Sequence, residues 1–210
     1  MVLEALSQSD PRLRQSCAPV ARRDLRDRQQ QLEIDALLDF VYGRAAARDV
    51  QRGAGQVATP STVGLSANQV GIMKQICIVD LAIGRPGYHD IRVLVNPRIV
   101  WQSKVLRERL EGCVNFPHWW GTTRRPERVK LEALDRSGFT TTVDVTGWAA
   151  AVVCHEVDHL HGRLFIDRLV DPKKAHMVTD ADYPQYRKLH AAQWDKLVDV
   201  SSYAVTDSPA

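Results

Sequence analysis

The chain has 210 residues, of which 44% are hydrophobic and 25% charged, and its 28 basic and 25 acidic residues leave a net charge of +3. These values suit one globular domain with a sizeable core. They argue against a dedicated nucleic-acid binder, which would carry a stronger basic bias or a recognisable module, so no specific DNA partner is expected. No segment approaches the roughly 18 consecutive apolar residues of a membrane span, and the opening MVLEALSQSDPRLRQ lacks the apolar stretch of a secretory signal. The expectation is a cytoplasmic protein without a membrane partner. In that reducing setting the widely spaced Cys17, Cys77, Cys113 and Cys154 would act singly rather than as a disulfide framework.

Along the chain, Arg12 to Arg28 holds six arginines diluted by Asp24 and Asp27, which reads as a solvated face. Residues 29 to 50 follow as a helix, because Ile34, Leu37, Leu38 and Val41 recur at i, i+3, i+4 and i+7. Gly53 to Ser61, rich in Gly, Ala, Thr and Pro, reads as a loop. Ile76 to Val79 and Ile91 to Val95 read as short buried strands, the second ended by Asn96-Pro97. Val129, Leu131 and Ala133, then the turn Asp135 to Gly138, then Val143 and Val145, make a hairpin. Trp148 to His161 is a helix opened by Thr146-Gly147 and closed by Gly162, and a last helix is expected from Pro184 to about Val200. Strands flanked by helices point to the α+β class. The domain is expected to span residues 1–200, with 201–210 a disordered tail.

The strongest chemical signal is His155-Glu156-Val157-Asp158-His159. Two histidines four apart share one helix face and can reach one ion, with the glutamate beside them. The plain alternative is a polar helix face. Against it, Ala149 to Val153 make the preceding turns apolar, and a buried histidine pair needs a partner. A catalytic site of this type needs a third protein ligand. A metzincin-like histidine would fall at Phe165, and no glutamate follows Glu156 for a gluzincin-like arrangement. Asp180 and Asp182 stay open as acidic candidates. Upstream, Glu111-Gly112-Cys113 offers a thiolate next to a glycine that permits close backbone approach. Cys77, within an apolar strand, and Cys154, off the histidine face, read as core.

Three segments together resemble the peptide deformylase family. Gly64-Leu65-Ser66-Ala67-Asn68-Gln69 is similar to its GxGLAAxQ motif, Glu111-Gly112-Cys113 with Pro117 to EGCLSxP, and Cys154 to Gly162 to QHExDHLxG. Asp10-Pro11-Arg12-Leu13-Arg14 resembles its N-terminal segment. The resemblance implies antiparallel sheets packed around a central helix carrying the HExxH motif. It implies one divalent ion held by Cys113, His155 and His159, with Fe2+ the expected metal and Zn2+ or Ni2+ possible substitutes. Glu156 would be the acid/base, the Gln69 side chain and the Val114 backbone N–H would form the oxyanion site, and Arg125 would support the site through Glu111 or Asp158. Val63, Gly64, Gly112, Trp148 and Val152 would line the substrate pocket. The implied reaction is attack of a metal-bound hydroxide on the N-formyl group of new polypeptides, with release of formate.

The chain departs from the pattern at Thr62, Ser66, Val114-Asn115-Phe116 and Cys154, none of them a proposed ligand or the acid/base. Trp120 stands where some members place a peptide-holding arginine, and Trp148 lies seven residues before His155 on its face. The two tryptophans leave open a relative acting on a different N-formyl compound. Arg187, Lys188 and Lys196 mark a possible transient ribosome contact.

Overall fold

The computed structural model describes residues 2–51, 62–83, 89–190 and 197–198. The loop expected at Gly53 to Ser61 and the tail at 201–210 lie outside the described residues. Helix α1 (Arg28–Gln51) carries the expected apolar stripe, with Ile34, Leu37, Leu38 and Val41 all buried. It is two helical segments joined at Gly43, whose φ of 75° breaks the run that the sequence suggested would be continuous.

Two antiparallel sheets follow. The first is ordered β1-β2-β3-β6-β7, built from β1 (Gly64–Ser66), β2 (Ile76–Asp80), β3 (Ile91–Gln102), β6 (Arg128–Leu134) and β7 (Thr140–Thr146). The second is β8-β5-β4-β9, from β4 (Leu106–Cys113), β5 (Phe116–Pro126), β8 (His176–Met177) and β9 (Leu197–Val198). The β6–β7 hairpin has the expected turn, in which the Asp135 carboxylate accepts from the N–H groups of Ser137 and Phe139.

Two expectations need correcting. Strand β3 does not stop at Asn96-Pro97: Asn96 takes a φ of 51° and the pairing with β6 slips between Val95 and Arg98. A bulge absorbs the proline, which cannot donate to a ladder. The C-terminal helix is also shorter than expected. Helix α3 covers Tyr183–His190, and Leu197–Val198 instead pair with β4 as a strand. Residues that can pack either as helix or as strand follow whichever edge the tertiary structure offers.

Helix α2 (Gly147–Leu160) is buried along nearly its whole length, from Ala149 to Leu160. Its apolar residues Ala150, Val152, Val153, Val157 and Leu160 share a core cluster with Cys77, Val79, Leu94, Val129 and Leu131 of the first sheet. Gly162, with φ 70°, ends it, and a Cβ there would come within 2.5 Å of the Arg14 carbonyl oxygen. All four cysteines are free, and no described helix is long and apolar enough to cross a membrane.

Candidate metal centre

Helix α2 and the β4–β5 hairpin bring the sequence candidates together. His155 and His159 are one turn apart, with their Nε2 atoms separated by 3.2 Å. The Sγ of Cys113 lies 3.3 Å from Nε2 of His159, and the three donor atoms all fall within 4.8 Å of one another. A tetrahedral ion with nitrogen ligands at about 2.0–2.1 Å and sulfur at about 2.3 Å sets donor–donor edges of roughly 3.3–3.6 Å. The Nε2–Nε2 and Sγ–Nε2 spacings come close to those edges, so the three donor atoms fit the coordination sphere of one ion. Both histidines are buried and Cys113 is partly so. Burial and the neighbouring His155 hold the His159 imidazole well below its ordinary pKa, hence neutral, the form a metal requires.

Behind the three candidate ligands runs a buried ion-pair network. Glu111 Oε2 fixes His155 Nδ1 at 2.9 Å. The Arg125 fork donates to both oxygens of Glu111, at 2.7 and 2.9 Å, and through Nη1 to Asp158 at 2.5 Å. Asp158 in turn accepts two bonds from Arg168, and Thr123 donates to Glu111. Burial alone would raise the Glu111 carboxyl. The charge of Arg125 and the bonds from Arg125 and His155 outweigh it and hold the group far below the usual carboxylate range. An ionised Glu111 orients the His155 ring and sharpens its donor nitrogen. His159 lacks such support: its Nδ1 is buried without a hydrogen-bond partner among the described residues, while its carbonyl accepts from Asn68.

The remaining candidates surround the ligands on the other side. The single turn Ala67–Val70 presents Gln69, whose Oε1 accepts the Ser66 N–H at 2.7 Å and whose Nε2 donates to Cys113 Sγ at 3.3 Å. Its amide N–H end therefore faces the ligand cluster. Glu156 is buried, and burial raises its carboxyl, opposed by His155 and by Ser66, whose Oγ sits 2.8 Å from Glu156 Oε2. Gly64 packs so closely on α2 that a Cβ there would collide with Glu156 Oε1 and come within 2.9 Å of Val152. Val114 and Asn115 form the turn that joins β4 to β5, and Asn115 ties that turn to the carbonyls of Leu6 and Gln69. Val63, 38% exposed, lies just before β1.

Trp148 lies seven residues before His155, at the start of α2. It occupies the first turn of α2 with the Arg109 guanidinium 5.3 Å from its ring centre. It lines a cavity of about 520 Å³ whose walls include Leu81, Ile83, Arg107 and Glu127. Arg109 is itself only 1% exposed and bonds Glu127 at 3.2 Å.

The chain matches the sequence model of the polypeptide deformylase family over residues 2–175. The chain belongs to the peptide deformylase family. It is 35% identical over 173 residues to a peptide deformylase of Alkalilimnicola ehrlichii, covering 82% of this chain and 85% of that one. It is 36% identical over 177 residues to peptide deformylase 2 of Vibrio cholerae, covering 84% and 90%. Among solved structures, the class I type b peptide deformylase of Acinetobacter baumannii with Met-Ala-Ser bound shares 30% identity at a TM-score of 0.65, over 80% of this chain and 99% of that one. The peptide deformylase of Thermotoga maritima gives 26% and 0.65, over 81% and 99%. This deformylase-family protein is thus a hydrolase with the mixed helix and antiparallel-sheet fold of its relatives.

Several site residues were not legible beforehand. Ser66 appeared only as a departure from the alanine of the first motif, yet its hydroxyl contacts Glu156. A polar residue at an apolar motif position was the available signal. Thr123 and Arg168 carried none, since each meets the network only through the fold.

Proposed function

We propose that this chain removes the N-formyl group from the N-terminal formyl-methionine of newly made polypeptides, releasing formate. The observation that carries the reading is the Cys113, His155 and His159 cluster, its two histidines buried, with the Glu156 carboxyl and the Gln69 amide at its edge. A divalent ion there, Fe2+ in our reading, with Zn2+ or Ni2+ able to replace it, would supply Lewis acidity and make water a nucleophile near neutral pH. Glu156 takes the proton of that water and returns it to the leaving amine as the carbon–nitrogen bond breaks. Its burial suits the exchange, because a carboxyl raised toward neutrality both accepts and returns a proton. Gln69 Nε2 and the Val114 N–H receive the charge that develops on the formyl oxygen, an effect of roughly 3–4 kcal/mol for one such donor. Gly64 and Gly112 let a peptide backbone approach, with Val63, Val152 and Trp148 shaping the space for its side chain. The reading takes α2 as the central helix of one domain over residues 1–200. The setting is cytoplasmic, with nascent chains as partner and a transient ribosome contact through the C-terminal segment, of which Lys196 lies outside the described residues.

A second reading, a deformylase-like amidohydrolase acting on a different N-formyl compound, is favoured by one feature. The indole of Trp148, backed by the buried Arg109 guanidinium, fills space two turns along α2 from His155. Formate release from formyl-Met-Ala, compared with small formamides, separates the two. The Glu156→Gln variant should retain stoichiometric metal and lose about 10²–10⁴-fold in rate. Full activity in that variant would refute both readings.

A further inference from the structure

The family match ends at residue 175, yet the chain beyond it folds back onto the hairpin that carries Cys113. The β4–β5 ladder pairs Gly112 with Trp120 and then Cys113 with Phe116, so Pro117, His118 and Trp119 have no partner on β4. His118 sits in this bulge at φ 70°, a conformation disfavoured for any residue with a Cβ and kept only where the surroundings hold it. Bulges redirect the side chains next to them. Here the slip falls between Gly112 and Cys113, and thus sets where the thiol points.

Residues 176–190 grip this bulge at successive points. Met177 and His176 pair with Trp119 and Trp120, and the Val178 N–H donates to the His118 carbonyl at 2.8 Å. Asp180 lies 3.6 Å from His118 Nδ1. Tyr183 stacks on Trp120 with ring centres 5.0 Å apart and planes at 20°, and Tyr186 flanks the same indole at 6.1 Å while bonding His176 Nε2. The indole in turn covers Gly112, where a Cβ would come within 3.2 Å of its ring. The aromatic contacts of α3 therefore converge on Trp120 and His176. None of its described side chains joins the three apolar core clusters, Leu189 is 67% exposed, and among the described residues of 176–190 Val178 is the one buried apolar side chain. A segment that adds so little to the core and so much to one bulge is placed to act on that bulge.

We infer that residues 176–190 are a clamp on the Gly112–Cys113 bulge, and that Trp120 and Tyr183 are positioning residues for the Cys113 ligand. The clamp acts by fixing the thiolate toward His155 and His159. It rests on the three side chains holding a divalent ion, but not on the identity of the formyl substrate.

The test uses the full chain loaded with zinc and follows release of the ion to a chromophoric chelator. Tyr183→Ala should speed release about two- to tenfold, the worth of one aromatic pair, while Tyr183→Phe, which keeps the ring, stays within about twofold of the parent. Val178→Pro removes the donor to His118 and should act in the same direction as Tyr183→Ala. Melting of the metal-free protein should move little in the tyrosine variants. Parental release rates in both Tyr183→Ala and Val178→Pro would overturn the inference. So would a large loss of metal-free stability in Tyr183→Ala, which would make the segment a strut for the whole domain. Failure of the parent chain to bind zinc would instead sink the metal-centre reading, and the clamp with it.

Discussion

Replacing Arg125 by methionine keeps the stem and removes the charge at the middle of the buried network. The guanidinium is 3% exposed and makes three bonds of 2.5–2.9 Å to two carboxylates. Breaking a buried ion pair from one side costs about 3–5 kcal/mol, because the remaining charge stays buried. Here Asp158 keeps the partly exposed Arg168, while among the described residues Glu111 keeps Thr123 and His155. The stranded charge is therefore mainly that of Glu111, which places the cost at the lower end, about 3–4 kcal/mol. With a urea dependence of about 2 kcal/mol per molar, the unfolding midpoint of the metal-free protein should fall by roughly 1.5–2 M. Zinc affinity should drop about tenfold, since Glu111 orients His155 and such outer partners are worth roughly 10–100-fold. The exposed pair Arg128–Asp144, with side chains 48% and 34% exposed, is the control, and Arg128→Met should leave the unfolding midpoint nearly unchanged. Acid adds a sign. A carboxyl held low in the folded state contributes stability that is present above its unfolded pKa and is lost as pH falls through that range. The parent should accordingly lose stability on acidification more steeply than the variant. Equal midpoint shifts for the two methionine variants would refute the reasoning.

Further outcomes follow from the packing around Glu156. Gly64→Ala places a methyl against Glu156 and Val152, and should lower formate release at least tenfold and stability by about 1–3 kcal/mol. Activity within about twofold of the parent would show that β1 can shift freely. Ser66→Ala removes a donor that favours the ionised Glu156, so the acid limb of the kcat/KM profile should move to higher pH. A limb that stays put or moves down would mean the Ser66 hydroxyl does not govern that proton. Chelation of the metal should abolish formate release, and adding back Fe2+ or Zn2+ should restore it; activity that survives chelation would remove the triad from the reaction.

The sequence by itself determined the local grammar. It gave away the apolar stripe of α1, the alternation and turn of β6–β7, the bounds of α2, and two histidines on one helix face, because periods of 3.6 and 2 are written residue by residue. It also pointed to Cys113 as the third ligand, since no downstream histidine or glutamate stands at a familiar spacing and the motif around Gly112 resembles that of the family. The tertiary structure decided whatever depends on residues far apart meeting. Strand β3 runs through Pro97 because a neighbouring strand accommodates the bulge, and Leu197–Val198 pair as a strand because β4 offers an edge there. Ser66 reaches Glu156 across 90 positions, Arg125 reaches Asp158 across 33, and Tyr183 finds Trp120. Such contacts are set by how sheets and helices stack rather than by local spacing. Trp148 shows the limit most plainly: its helix face was readable, but that a buried arginine would lie over its ring depended on the strand packed opposite.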